Sequence, residues 1–154
     1  MVLFVAVNVK DIACLGRNFP WPKPKSCPRC QAGLWWHGFV LAYFSCWPEP
    51  IYLRCLRCPC CGAVHRLKPA GYFPRFRSSI REIQEAIEHR CRRGRWRPDL
   101  PRGRQRQWWR RLDRMIRLVL GISFAGPFTQ AFNLLKEQNI IPVTGTELPE
   151  NRAM

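Results

Sequence analysis

A chain of 154 residues accommodates one domain, or two small modules where a bound metal replaces part of a core. Its 26 Lys and Arg outweigh 10 Asp and Glu for a formal charge of +16, which points to a polyanionic partner and leaves few carboxylates for a two-metal acid site. Nine cysteines without a cleavable signal peptide argue against a secreted disulfide scaffold and for a reducing, cytoplasmic setting, since apolar residues 1–7 lack a basic flank and are too short for a membrane span.

In chain order, residues 1–9 read as a short buried strand rich in Val, Leu and Phe. Prolines at 20, 22, 24 and 28 make residues 18–25 an extended lead into the first cysteine pair. Residues 34–45 and 51–58 read as two strands joined by the turn Trp47-Pro48-Glu49-Pro50, with a third short strand over 63–67. This is an antiparallel hairpin between two cysteine pairs.

Helix begins after Phe76. Ser79-Ile80-Arg81-Glu82 is a capping box, and Ile80, Ile83, Ile87 and Cys91 recur at helical spacing, so a helix is expected over 79–92, ended by Gly94. Residues 97–101 form a turn, and a second helix runs from 102 or 104 to 120 with Trp108, Leu112, Met115 and Val119 on one face and Gly121 as its stop. A third helix over 128–138 offers Phe128, Ala131, Phe132 and Leu135 to a shared core. The fold expected is α+β: a four-cysteine zinc-ribbon β module over 1–75, an Arg-rich helical bundle over 76–140, and a disordered tail over 141–154.

The cysteine pairs carry the most specific chemistry. Cys27-Pro28-Arg29-Cys30 and Cys58-Pro59-Cys60-Cys61-Gly62 are both C-P-x-C turns, in which proline and glycine favour a bend that aims backbone N–H groups and two thiolates at one ion. Cys27, Cys30, Cys58 and Cys61 are therefore the expected ligands of a structural Zn2+. Cys55-Leu56-Arg57-Cys58 overlaps the second pair, leaving Cys55 with Cys58 as an alternative that lacks the proline and glycine. Cys14, Cys46, Cys60 and Cys91 read as free thiols, and His37, His65 and His89 are left outside the metal site. A closed site of this kind contributes folding free energy, on the order of 10 kcal/mol or more, and holds no activated water. No Ser-His-Asp set or phosphate loop accompanies it, so no enzymatic activity is expected of this chain alone.

The arginines carry the second signal. From Arg75 to Arg117 there are fifteen arginines and no lysine against five acids. Two helices joined by a tight turn, the second rich in arginine, fit a helix-turn-helix whose second helix enters the major groove of double-stranded DNA. Arg102, Arg104, Gln105, Arg106 and Gln107 lie at its N-terminal end, where arginine can grip guanine and glutamine adenine. Arg92, Arg93, Arg95 and Arg97 before it are expected at phosphates, and Arg110, Arg111 and Arg114 along it are further DNA-binding candidates. The interleaved tryptophans at 35, 36, 96, 108 and 109 leave open an RNA-binding reading by base stacking, although packing accounts for most of them, and the aromatic hairpin leaves open an interaction module that docks on a transposase or other enzyme.

The runs from Cys27 to Cys30, Leu34 to Val40, Cys58 to Pro69 and Gly71-Tyr72-Phe73-Pro74-Arg75-Phe76, with Arg104 to Leu112 further on, resemble a family of small bacterial proteins. The zinc ribbon of that family is similar to those heading insertion-sequence transposases. The resemblance implies a DNA-binding accessory of a mobile element, with recombination chemistry on another polypeptide such as a transposase. The extra cysteines at 14, 46, 55, 60 and 91 depart from that pattern.

Overall fold

The computed structural model describes residues 1–148 as an α+β chain that divides after Ser78 into two units. In the first, β1 (Val2–Val5), β2 (Trp35–Ala42), β3 (Ile51–Arg57) and β4 (Val64–Pro69) form one sheet in the order β1-β4-β3-β2. The hairpin β2/β3 and the pair β3/β4 are antiparallel, whereas β1 runs parallel to β4 with Val2 opposite Arg66. On β3, Ile51, Leu53 and Cys55 are buried in alternation, as a half-covered sheet requires.

The strand expected over 1–9 is shorter, because the Asn8 side chain accepts the Lys10 N–H at 2.8 Å and caps a helix, α1 (Val9–Leu15). Val9 and Ile12 from α1 are buried with Trp21, Leu34, Phe44, Leu53, Leu56 and Leu67 in one core that also includes Cys27 and Cys58. Seven residues hold too few turns for helical periodicity to register in the sequence.

Lys68, almost wholly buried at the end of β4, organises the segment that follows it. Its Nζ donates to the carbonyls of Phe73, Pro74 and Phe76 at 2.9, 3.1 and 2.8 Å, and lies 5.6 Å from the Tyr72 ring centre. All three ammonium protons thus have acceptors, which offsets the cost of burying the charge. Burial, and secondarily Arg66, pushes its pKa down to about 8.

The second unit contains α2 (Ile80–Arg93), α3 (Arg102–Met115), a π-helical turn at Ile116–Leu120, and α4 (Phe128–Glu137). Ser79 Oγ accepts the Glu82 N–H at 3.0 Å to start α2, and Gly94 closes it in the left-handed region, φ 66°. Ile83, Ala86 and Ile87 from α2, Trp108, Leu112 and Ile116 from α3 and its extension, and Ala131, Phe132 and Leu135 from α4 are buried. Cys91 and Val119, expected on apolar faces, are exposed: Ile116 continues the buried face of Trp108 and Leu112 at four-residue spacing, and the wider π turn that starts there carries Val119 off that face.

Two expectations are corrected here. The connection from α2 to α3 spans residues 94–101, eight residues, where a helix-turn-helix uses three or four. Residues 141–148, placed in a disordered tail, fold back: the Ile141 N–H donates to Thr146 O, the Leu148 N–H to Asn139 O, and Val143 is fully buried. The remainder of the expected tail, 149–154, lies outside the described residues.

Candidate metal centre and basic surface

Both cysteine turns are built alike. The Cys27 N–H donates to Ala32 O at 2.7 Å and the Gln31 N–H to Cys27 O at 2.8 Å; the Cys58 N–H donates to Ala63 O at 2.9 Å and the Gly62 N–H to Cys58 O at 3.0 Å. Each turn therefore closes on the residue four positions after its first cysteine, and the strands β2 and β4 follow. The hairpin sets the two turns side by side.

The Sγ atoms of Cys27, Cys30, Cys58 and Cys61 all lie within 4.8 Å of one another, a grouping that can hold a metal ion. Cys27 to Cys61 is 3.8 Å and Cys30 to Cys58 is 3.4 Å. A tetrahedral thiolate shell with metal–sulfur bonds near 2.3 Å has sulfur–sulfur edges of about 3.8 Å. Cys55 does not join the group; it is buried on β3 opposite Arg66, and burial pushes its thiol up. The second pair is thus Cys58 with Cys61.

The electrostatics favour thiolate chemistry at one sulfur first. Backbone N–H groups of Cys61 and Cys60 and the neighbouring thiols Cys30 and Cys61 hold Cys58 down at about 6, against the cost of burial. Cys30 accepts the Ala32 N–H, which favours its thiolate, yet hydrogen bonding to Cys58, burial and the thiols of Cys61 and Cys27 push it up to about 12. A bound divalent cation replaces this sharing of protons by four deprotonated ligands.

His65, left out of the site on sequence grounds, stands against it. Its ring is fully buried, and Nε2 lies 3.3 Å from Cys27 Sγ while Nδ1 has no hydrogen-bond partner. Burial lowers its pKa, so the ring is neutral, and the tautomer that satisfies Cys27 carries its proton on Nε2. A neutral N–H donor to a metal-bound sulfur orients that ligand and moderates its charge. The spacing of four residues from Cys61 marks His65 in the sequence, but only the hairpin register shows which cysteine it meets.

The arginines are distributed unevenly in role. Arg102, Arg106, Arg110, Arg111 and Arg114 of α3 are exposed with Gln107, and Arg93 and Arg95 are exposed in the segment before it; Arg104 is half-buried. Gln105 is not available to a base: it is 2 % exposed, its Oε1 accepts the Arg97 N–H, and its Nε2 donates to Arg97 O and Leu100 O at 2.9 and 3.0 Å. It staples the 94–101 connection. Arg97 is held between Glu85 (3.2 Å) and Asp99 (2.5 Å), and Arg92 is paired with Glu88.

Trp96 and Trp109 are half-buried and pack edge to face at 6.2 Å, Trp109 stacks on Phe128 at 4.2 Å, and Trp108 is buried. These rings serve packing. Among the described residues no helix is long and apolar enough to cross a membrane. No protein family, curated protein or solved structure was found to match this chain.

Proposed function

We propose that this is a zinc-stabilised DNA-binding protein, serving as an accessory or regulatory protein of a transposable element. The observation that carries DNA binding is the line Arg102, Arg106, Arg110 and Arg114. These residues recur every four positions on α3, all exposed, while Gln105, Trp108 and Leu112 on the same helix are buried. The twelve helical steps from Arg102 to Arg114 extend about 18 Å, a length that follows several phosphates of a duplex. Arg93 and Arg95 add charge before the helix begins.

Zinc is the metal that four thiolates in a closed shell favour, and the cysteine turns supply nothing else. Its role is to hold the hairpin, since Cys27 and Cys58 are themselves part of the buried core. The mobile-element setting rests on the resemblance of the cysteine turns and of the Arg104 to Leu112 run. The recombination chemistry is then assigned to a partner polypeptide.

The test is salt-dependent binding of duplex DNA by the zinc-loaded protein and by an Arg106→Ala/Arg110→Ala variant. Two lost phosphate contacts reduce the slope of log affinity against log salt by about 2. Arg81→Ala, on the exposed side of α2 and paired with Glu85, is the control and leaves the slope unchanged. An unchanged slope in the double variant overturns the assignment of α3.

A further inference from the structure

The ribbon unit carries a second surface that duplex binding by α3 does not use. Residues 1–78 hold eleven Lys and Arg against two acids, Asp11 and Glu49, a formal +9 of the total +16. Among the described residues none of these cations is ion-paired with a carboxylate; the ion pairs all involve residues 81–117. Three of them instead lie over rings of the β2/β3 hairpin, of which Trp36 is exposed and Phe39 and Tyr52 are half-buried.

Lys23 Nζ lies 5.7 Å from the centre of the Trp36 ring. The Arg54 guanidinium lies 4.9 Å from Trp36 and 4.4 Å from Phe39, and Arg17 lies 5.8 Å from Phe39 and 4.5 Å from Tyr52. Cations and rings therefore alternate along one line: Lys23, Trp36, Arg54, Phe39, Arg17, Tyr52. The register explains the order, since Phe39 is directly opposite Arg54 and Tyr52 lies two residues before it on β3. Trp36 keeps 40 % of its surface exposed, and β2 is the edge of the sheet.

We infer that this line binds single-stranded DNA, the bases stacking on Trp36, Phe39 and Tyr52 while Arg17, Lys23 and Arg54 meet the phosphates between them. The chemistry selects an unpaired strand. In a duplex the base faces are covered by their neighbours and only phosphates remain outside, whereas an unpaired strand offers a ring and an anion at every nucleotide. A surface that met phosphates alone would have no use for rings interleaved with its cations. An apolar protein partner would not be matched by three cations interleaved with them.

The full-length zinc-loaded protein is titrated with a thymidine oligomer, with an abasic oligomer of equal length and charge, with the corresponding uridine oligomer, and with duplex. Trp36→Ala and Tyr52→Ala should each weaken thymidine-oligomer binding about tenfold, the loss of one stacked base, and change duplex binding less than twofold. Trp36→Phe should restore most of the affinity, which separates loss of a ring from loss of fold; unchanged zinc content in the alanine variants makes the same separation. Arg106→Ala/Arg110→Ala should do the reverse, weakening duplex and sparing the single strand, so failure of the α3 assignment is distinguishable from failure of this one. Equal binding of the abasic oligomer overturns the inference, as does unaltered single-strand affinity in the alanine variants. Uridine oligomers binding tenfold tighter than thymidine oligomers would overturn the assignment to DNA.

Discussion

Gln31 and Gly62 occupy the same place in the two cysteine turns, four residues after Cys27 and Cys58, and both adopt the left-handed backbone conformation at φ 63° and 70°. Each donates its N–H back to the first cysteine's carbonyl. One turn uses glycine there; the other tolerates a side chain, whose Oε1 accepts from Ser26 Oγ at 3.2 Å. The asymmetry makes a direct test of the turn geometry. Gly62→Ala should lower the stability of the zinc-loaded protein by about 1 to 2 kcal/mol, the strain of a Cβ in this region, while Gln31→Gly should leave it unchanged or raise it slightly. Thermal unfolding of the two variants checks this.

Removing any one of the four grouped thiols should abolish tight metal binding. Cys27→Ser, Cys30→Ser, Cys58→Ser and Cys61→Ser are each expected to lose the single bound zinc per chain and the cooperative unfolding of the ribbon unit. Cys55→Ser and Cys60→Ser should retain the metal. Elemental analysis after gel filtration distinguishes the sets, and a chelator should mimic the first set in the unaltered protein.

His65→Phe should keep the one-metal stoichiometry but weaken zinc affinity about 10- to 100-fold, because Cys27 loses its N–H donor. Competition with a chromophoric chelator reads the change. Equal affinity would reduce the ring to core packing.

Lys68→Met should destabilise the protein at pH 7 by about 2 kcal/mol, since the Phe73, Pro74 and Phe76 carbonyls lose the ammonium donor and Phe73 O keeps the Phe76 N–H. The pH dependence has a definite sign. Lys68 has its pKa lowered in the folded state, from an ordinary value near 10.5 to about 8, so between these values the unfolded chain binds the proton more firmly than the folded one. Stability due to this group is constant below about pH 8 and rises from there to about pH 10.5, and the margin over Lys68→Met widens across that window. Denaturant unfolding of both proteins at pH 7 and pH 9.5 measures it.

Gln105→Ala should loosen the 94–101 connection and cost about 2 to 3 kcal/mol, whereas Gln107→Ala, two residues on and exposed, should cost less than about 0.5. Loss of hydrogen-exchange protection confined to that connection would identify the staple.

The cysteine turns were legible because their chemistry is local: proline, spacing and a following glycine fix a bend wherever it sits in the fold. So was the start of α2, where Ser79 and Glu82 are three residues apart. The parallel pairing of β1 with β4 joins residues 64 apart in sequence, Val2 and Arg66, and no local pattern reports it. Gln105 shows the limit most clearly. Between Arg104 and Arg106 it reads as a base-reading side chain, yet its amide is consumed by backbone groups that only the folded connection presents. The π turn after α3 escaped for a similar reason, since periodicity projected from Trp108 and Leu112 carries Val119 inward when the widened turn does not. The line of cations and rings on the hairpin required the β2/β3 register, with its irregularity between Trp36 and Gly38.

The most direct test of DNA binding is the affinity of the zinc-loaded protein for a duplex from its own genomic flank and for a scrambled duplex, followed between about 50 and 200 mM salt. Tight binding with a log–log slope of about −4 or steeper, and a flank preference that survives at the higher salt, is the result predicted for a site-specific DNA reader of a mobile element. Binding that is absent, or that is weak and insensitive to salt on both duplexes, would contradict it.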